Sequence, residues 1–371
     1  MLVSNYFTPV ASKKIQQKDY LDKSLSLRKN ISLFNPAITK NLDKYDIIFF
    51  SFDNNTGMNV RNELYSLAGF SKKLKIIDLG FLKGDTKENK VAALREAMIE
   101  LIKLNKIIII LGENKFFSYS VYAAYEFSEK FLSLTEISPF IKLKSNKENV
   151  SDDDFLNKII LYDKHKLFHF TNIGYQIHYT NENIIDRLNK KSWEAYRLSK
   201  IKADINSNEY LLRNAEFISF DMQSVRHIDA PDVENPVTNG FSALDACKLS
   251  YYSGISDELC IFSLWNIKPD LKNETITTKL AAQIIWYFIS GYINRFNDFP
   301  DEIDEKYKKI MVPIENTDKH LVFYNNKNNE RWWFEVPLND ENYLVPCSKD
   351  DYIEALKGDI PIRWIKFFNK V

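Results

Sequence analysis

The stretch Ala215-Glu-Phe-Ile-Ser-Phe-Asp-Met-Gln-Ser-Val-Arg-His-Ile-Asp-Ala-Pro-Asp232 decides how the chain is read. Phe217 to Met222 is an apolar-rich run that predicts a buried strand. It ends in polar side chains and then a loop containing Pro231. In an open α/β sheet the carboxyl end of a strand opens onto the crevice made by the loops that follow, and sites are built there. Asp221, Gln223 and Arg226 are therefore the first candidate site residues.

Working outward, runs of the same kind recur. Asp46-Ile-Ile-Phe-Phe-Ser-Phe52 and Ile107-Ile-Ile-Ile-Leu111 are continuous apolar segments, as expected of strands covered on both faces. Leu74–Leu79, Leu132–Leu143, Leu167–Tyr179, Tyr196–Leu198 and Leu259–Trp265 add further strand candidates. Between them, Val91, Leu94, Met98, Leu101 and Ile102 repeat at helical spacing and predict a helix over 87–104. Helices are also expected near Asn59–Ala68, after a polar loop at Asp53–Gly57, and at Phe117–Lys130, Ser242–Tyr252 and Thr275–Phe296. Lys144–Asp154 is charged and reads as a surface loop.

Alternating strands and helices predict a three-layer αβα sandwich with a mainly parallel sheet, joined by right-handed crossovers. This domain is expected over 45–298, after a polar lead-in at 1–44 that packs on it. Residues 299–371 form an aromatic-rich C-terminal extension containing Arg331-Trp-Trp-Phe-Glu-Val-Pro337 and Pro361-Ile-Arg-Trp-Ile-Lys-Phe-Phe368. Trp332, Trp333 and Trp364 suit either packing on the domain or an interaction surface.

Composition excludes several classes. Fifty basic and 50 acidic residues balance, so electrostatic capture of nucleic acid or of an anionic membrane is not expected. The three cysteines, Cys247, Cys260 and Cys347, form no close pair, which argues against a disulfide framework or a thiolate zinc site. Cys247 and Cys260 read as buried, and Cys347 as potentially exposed. The N-terminus lacks a signal-peptide pattern and no apolar stretch reaches the ~20 residues of a membrane span. A cytoplasmic location with no membrane span is the expectation. No Gly-x-Ser-x-Gly elbow or Walker loop occurs.

Ser219-Phe-Asp-Met-Gln-Ser-Val-Arg226 resembles the Ser-x-Asp-x-Asp-x-x-Asp signature of the ureohydrolases, the manganese enzymes that include arginase, agmatinase and formimidoylglutamase. Asp221 stands at the first metal-bridging aspartate, with Gln223 and Arg226 at the next two positions. After the strand Ile107–Leu111, Gly112-Glu-Asn-Lys-Phe116 is similar to the family's Gly-Gly-Asp-His-Ser turn, placing Glu113 and Asn114 in the turn and Lys115 at its histidine ligand. Ile137-Ser-Pro-Phe-Ile-Lys-Leu143 is similar to the Asp-Ala-His-x-Asp motif, with Ser138, Phe140 and Lys142 at the ligand positions. Asn266-Ile-Lys-Pro269 is similar to the Glu-x-Asn-Pro element, with Asn266 in place of the substrate-binding carboxylate.

The resemblance implies an arginase-like fold and a family metal site of which Asp221 alone is retained. A two-manganese centre needs anionic oxygens and imidazoles to offset the charge of two divalent cations. Lys115 and Lys142 bring positive charge to the same place. They are expected instead to pair with Asp221 or Glu113, or to receive an anion. The expectation is a protein without catalytic residues, bound metal or cofactor, acting as a structural or adaptor component through a protein partner or as a homo-oligomer. The alternatives are a manganese-dependent formimidoylglutamase or related amidinohydrolase, and an anion sensor in which Lys115, Lys142 and Arg226 share a cavity. His227, Asp229 and Asp232 form a short His/Asp pattern that reads as a hydrogen-bonded loop.

Overall fold

A strand that is apolar on every residue can only be stable with cover on both faces, and the sheet built here provides it. In the computed structural model the described residues are 2–370 apart from 40, 71–72, 129, 144–153, 162–165, 301–303, 316 and 339–340. The first sheet comprises β1 (Phe7–Thr8), β2 (Ile31–Leu33), β3 (Ile47–Ser51), β4 (Ile76–Leu82), β5 (Ile107–Leu111), β6 (Leu132–Ile137), β7 (Leu167–Tyr175), β8 (Glu194–Arg197), β9 (Phe217–Asp221) and β10 (Ile261–Trp265). Their order is β1-β4-β3-β5-β10-β9-β6-β7-β8, with β2 also on β4. Every pairing is parallel except β1 on β4.

Alternation along the strands feeds two cores. Ile47, Phe49, Ile107 and Ile109 point to the layer holding helices Asn54–Ser66, Ala243–Gly254 and Ile276–Ile293. Ile48, Phe50, Ile108 and Ile110 point to the layer of Lys87–Ile102, Ser118–Tyr125 and Glu182–Lys190. Helix Ile276–Ile293 starts with a capping box in which Thr275 and Thr278 satisfy each other's backbone, which fixes its entry next to β10.

Two expectations about chain organisation need correction. The polar stretch Asp53–Gly57 is no loop: Asp53 caps the helix by accepting from the Thr56 amide at 2.5 Å, so the helix begins at Asn54. The N-terminal lead-in does more than pack on the domain, since β1 and β2 extend the sheet beyond β4. The charged stretch read as a loop at 144–154 lies, but for Asp154, outside the described residues.

The C-terminal extension forms a second, antiparallel sheet in the order β11 (Tyr307–Pro313), β12 (His320–Asn326), β13 (Trp332–Leu338) and β14 (Glu341–Cys347). Helices Lys349–Leu356 and Ile362–Phe368 follow. One face of this sheet gathers Phe323, Trp332, Phe334, Val345 and Cys347 with Phe367 of the last helix. Trp333 turns to the other face, against Tyr307. Trp332 and Trp333 are only 8% and 2% exposed, and Trp332 stacks on Tyr352 at 4.7 Å. Trp364 is half-buried, donates from Nε1 to the Glu335 carbonyl at 2.7 Å and stacks on Phe368. Of the two uses open to them, Trp332 and Trp333 therefore serve packing and not an interaction surface, adjacent strand residues simply serving opposite faces. Cys347, for which the sequence left exposure open, is buried in the same core.

The extension is bound to the larger domain by buried charge. Arg363 donates from Nη1 to Glu194 and from Nε to the Pro346 carbonyl at 3.0 Å. Glu194 also accepts from the Tyr196 hydroxyl and meets His169 Nε2 at 2.8 Å. Lys370 contacts His169 Nδ1, and Lys366 donates to the Trp193 carbonyl at 2.7 Å.

Candidate functional site

Four parallel strands, β5, β6, β9 and β10, end side by side, and each delivers a polar side chain to one buried cluster. Beyond β5 the chain must turn at once, and Gly112 permits it. A Cβ there would lie 1.9 Å from Trp265 Cζ3, so any side chain would collide with the end of β10. Asn114 caps the short turn that follows, accepting from the Phe116 amide at 2.8 Å. Lys115 is thereby aimed across the strand ends.

Lys115 Nζ donates to Glu136 Oε1 at 2.8 Å and to Ser138 Oγ at 2.9 Å, and it lies 3.2 Å from Asp221 Oδ2. Ser138 in turn donates to Asp221 Oδ2 at 3.0 Å. The other oxygen of Asp221 accepts from the Gln223 amide at 2.9 Å and from Asn266 Nδ2 at 2.8 Å. Asn266, with φ of +66°, also accepts the Lys115 amide at 3.1 Å and donates to Gln223 Oε1 at 3.2 Å. Asparagine is one of the few side-chain-bearing residues that take this left-handed conformation readily. Asn172 of β7 closes the cluster with weaker contacts to Glu136 and the Ser138 carbonyl.

Lys115, Glu136, Ser138 and Asp221 are all buried. Burial works against the Lys115 ammonium, but Glu136 and then Asp221 outweigh it and hold its pKa above the usual lysine value. Burial also pushes the Glu136 carboxyl upward, against the pull of Lys115. An ammonium ion with three oxygen acceptors thus fills the point where the strand ends converge. Among the described residues, no group of three or more His, Cys, Asp and Glu side chains could hold a metal ion.

Of the residues read from sequence, Lys115, Ser138, Asp221, Gln223 and Asn266 meet here, with Asn114 shaping the turn. The others do not. Glu113 pairs with Lys90 at 2.8 Å, away from Lys115. Phe140 packs on Tyr179, Lys142 is exposed, and Arg226 donates from Nε to Asp229. The expected sharing of one cavity by Lys115, Lys142 and Arg226 is corrected: the first is consumed in a buried ion pair and the other two face outward. His227 is likewise exposed, and Asp229 is occupied by Arg226.

Glu136 was missed by the sequence reading, although it is the nearest partner of Lys115. Its only local signal is a carboxylate inside the strand Leu-Ser-Leu-Thr-Glu-Ile, where burial demands a counter-charge. A second buried pair was missed too. Arg61 makes two hydrogen bonds to Asp78, at 2.7 and 2.8 Å, and a third to Ser51 at 2.7 Å, tying helix Asn54–Ser66 to β3 and β4.

A ten-stranded, mainly parallel sheet between two helical layers, with a polar cluster at the carboxyl ends of its central strands, defines an arginase-like α/β protein. The chain belongs to the arginase family: residues 54–291 match the Arginase family model. It is similar in fold to Bacillus subtilis formimidoylglutamase, with TM-score 0.64 and 13% identity over 75% of this chain and 96% of that one. Trypanosoma cruzi formiminoglutamase with Mn2+ is similar at TM-score 0.61 and 15% identity, over 69% of this chain and 96% of that one. Arginase from Bacillus subtilis follows at TM-score 0.53 and 14% identity, over 66% and 98%. No curated protein sequence matches the chain. No helix among the described residues is long and apolar enough to cross a membrane.

Proposed function

We propose that this chain is a non-catalytic arginase-family protein, in which an internal ammonium ion takes the place of metal, and that it acts as a structural or adaptor component through protein–protein contact. The observation that carries this reading is the position of Lys115 Nζ, within 3.2 Å of oxygens from Glu136, Ser138 and Asp221. A pair of divalent cations does not fit these residues. The cluster offers two carboxylates, one of whose charges the lysine already offsets, three amides and a hydroxyl, but no imidazole. Adding cations beside a buried ammonium would set like charges against each other where screening is weak.

The interaction half of the reading is supported by the last helix. Ile362 and Ile365, one turn apart on one face, are 66% and 39% exposed, and Phe368 beyond them is 43% exposed. Exposed apolar residues that cluster in this way are more typical of contact surfaces than of free ones.

Elemental analysis of the chain purified with excess manganese, paired with melting in the presence and absence of chelator, tests the first half. Metal near zero and an unchanged melting temperature are expected. About two manganese ions per chain, with stabilisation that follows metal concentration, would overturn the reading in favour of a manganese-dependent formimidoylglutamase. Light scattering on wild type and Ile362→Asp/Ile365→Asp tests the second half, an assembly lost in the variant being the expected result. A wild type that stays monomeric and retains no partner after cross-linking in cells of its source would remove it.

A further inference from the structure

A second cavity, of about 500 Å³, lies at the opposite end of the sheet from the Lys115 cluster. It opens where β5, β6 and β10 begin, at Ile108, Ser133 and Ile261, and β14 of the extension supplies one wall through Tyr343. Sites in parallel α/β sheets ordinarily lie at the carboxyl ends of strands. This cavity lies instead at the amino ends, and the extension closes one side of it through Tyr343. Its volume falls in the ordinary range of small-molecule sites, about 300–1,000 Å³.

The walls are held in place before any ligand arrives. The Tyr343 hydroxyl donates to Asn214 Oδ1 at 3.3 Å, and its ring meets Phe168 edge-on at 5.3 Å. Phe131 contributes a ring that is 60% exposed, a large apolar surface left facing solvent at the mouth.

Glu216, the residue before β9, supplies the charge. Its Oε2 accepts the Ser133 amide at 2.6 Å, which fixes the carboxyl in the wall. Among the described residues no lysine or arginine forms an ion pair with it. Lys106 and Lys130 also line the cavity, and Lys130 directs its ammonium to Asn105 Oδ1 at 3.1 Å. Burial accordingly pushes the Glu216 carboxyl up to about 7, and nearby Glu258 adds to the rise. Three other carboxylates in buried surroundings are matched to cations: Asp78 to Arg61, Glu194 to Arg363, Asp221 to Lys115. Glu216 is a recessed carboxyl that lacks that match and borders open space.

We propose that this cavity is a ligand site for a small primary amine with an aromatic or branched apolar body, whose ammonium group pairs with Glu216 while its body lies against Phe131, Phe168 and Tyr343. Such a ligand supplies the missing counter-charge and buries the exposed ring together with its own apolar surface.

Calorimetric titration of the full chain with 2-phenylethylamine, against 2-phenylethanol and phenylacetate as neutral and anionic comparators of similar shape, tests the proposal. Saturable binding of the amine is expected, at least tenfold tighter than either comparator. Glu216→Gln keeps an acceptor for the Ser133 amide and should weaken amine binding at least tenfold. Phe131→Ala removes a largely exposed ring whose other contact is the Lys166 ammonium at 5.4 Å, and should weaken it several-fold while the protein melts nearly as wild type does. Absence of saturable amine binding, binding of phenylacetate as tight as that of the amine, or full affinity in Phe131→Ala would overturn the assignment. None of these readouts depends on metal content or on the Lys115 cluster.

Discussion

Lys115 and Asp221, 106 positions apart in the chain, form a buried ion pair at 3.2 Å where β5 and β9 end on either side of β10. Both side chains are nearly inaccessible, and Glu136 and Ser138 complete the set of oxygens around the ammonium. The pair is worth little by its Coulomb attraction alone, since both ions have been taken out of water. Its significance lies in what happens when one partner is removed.

Lys115→Met preserves most of the side-chain volume and leaves Asp221 facing Glu136 without a cation. A loss of about 3–5 kcal/mol is expected from stranding buried charge. Urea unfolding of the single variant and of Lys115→Met/Asp221→Asn measures it. The double variant should recover part of the loss. A single variant as stable as wild type would show that the cluster carries no such charge.

Arg363→Ala makes the corresponding prediction at the other end of the molecule. It strands Glu194 beneath the last helix, where His169 and Tyr196 remain as its partners. A loss of about 3–5 kcal/mol is expected, with earlier proteolytic cleavage in the extension than in the α/β domain. Simultaneous cleavage of both would mean that the extension has no separate unfolding step.

The dependence of stability on pH has one identifiable source in Glu216. Its carboxyl sits at about 7 in the folded chain against 4.5 as the ordinary value, so the folded state holds the proton more tightly. The stability this contributes is complete below about pH 4.5 and declines as pH rises towards 7. Relative to Glu216→Gln, wild type should lose stability as pH rises from 5 to 7, read as a shrinking difference in urea midpoint. Parallel curves would refute the assignment.

Lys370 acts with the opposite slope. Burial pushes its amine down to about 6, helped by Arg363 and Lys366, whereas an unfolded lysine keeps its proton to 10.5. The unfolded chain binds the extra proton between those values, so stability from this group grows as pH rises from about 6 and is lost as pH falls. The groups facing it are His169, Glu194, Arg363 and Lys366. Between pH 6 and 9 wild type should gain stability relative to Lys370→Met in the same urea series, and a constant difference would refute the assignment.

Gly112→Ala tests the turn that aims Lys115. With Trp265 Cζ3 at 1.9 Å from the added carbon, either the indole or the turn must move. A cost of about 1–3 kcal/mol is expected for overpacking, visible in the same denaturant curves and as a change in tryptophan fluorescence. An unaltered spectrum and midpoint would mean the turn has slack that the packing does not suggest.

Central strands were legible because an all-apolar run such as Ile107–Leu111 has few other uses, and helix 87–102 because its apolar positions repeat. β1 and β2 were not, since a two- or three-residue edge strand is specified by the neighbour it pairs with, not by its own pattern. The extension showed only its aromatic content: Trp332 and Trp333 serve opposite faces of a sheet whose register comes from β12 and β14. In the site, the resemblance brought out Lys115, Ser138, Asp221, Gln223 and Asn266, which the fold does gather. Glu136 stayed hidden because its role depends on an ammonium arriving from 21 positions upstream, and no local pattern encodes that meeting.

The lysine at the strand ends has one more implication. A metal ion is held by exchange with solution, so its site fills and empties with supply, competing ions and chelators. An ammonium carried on residue 115 is synthesised with the chain, in fixed stoichiometry, and has nowhere to dissociate to. On the proposed reading, the centre of this fold is complete when translation ends, in manganese-poor cells as in replete ones.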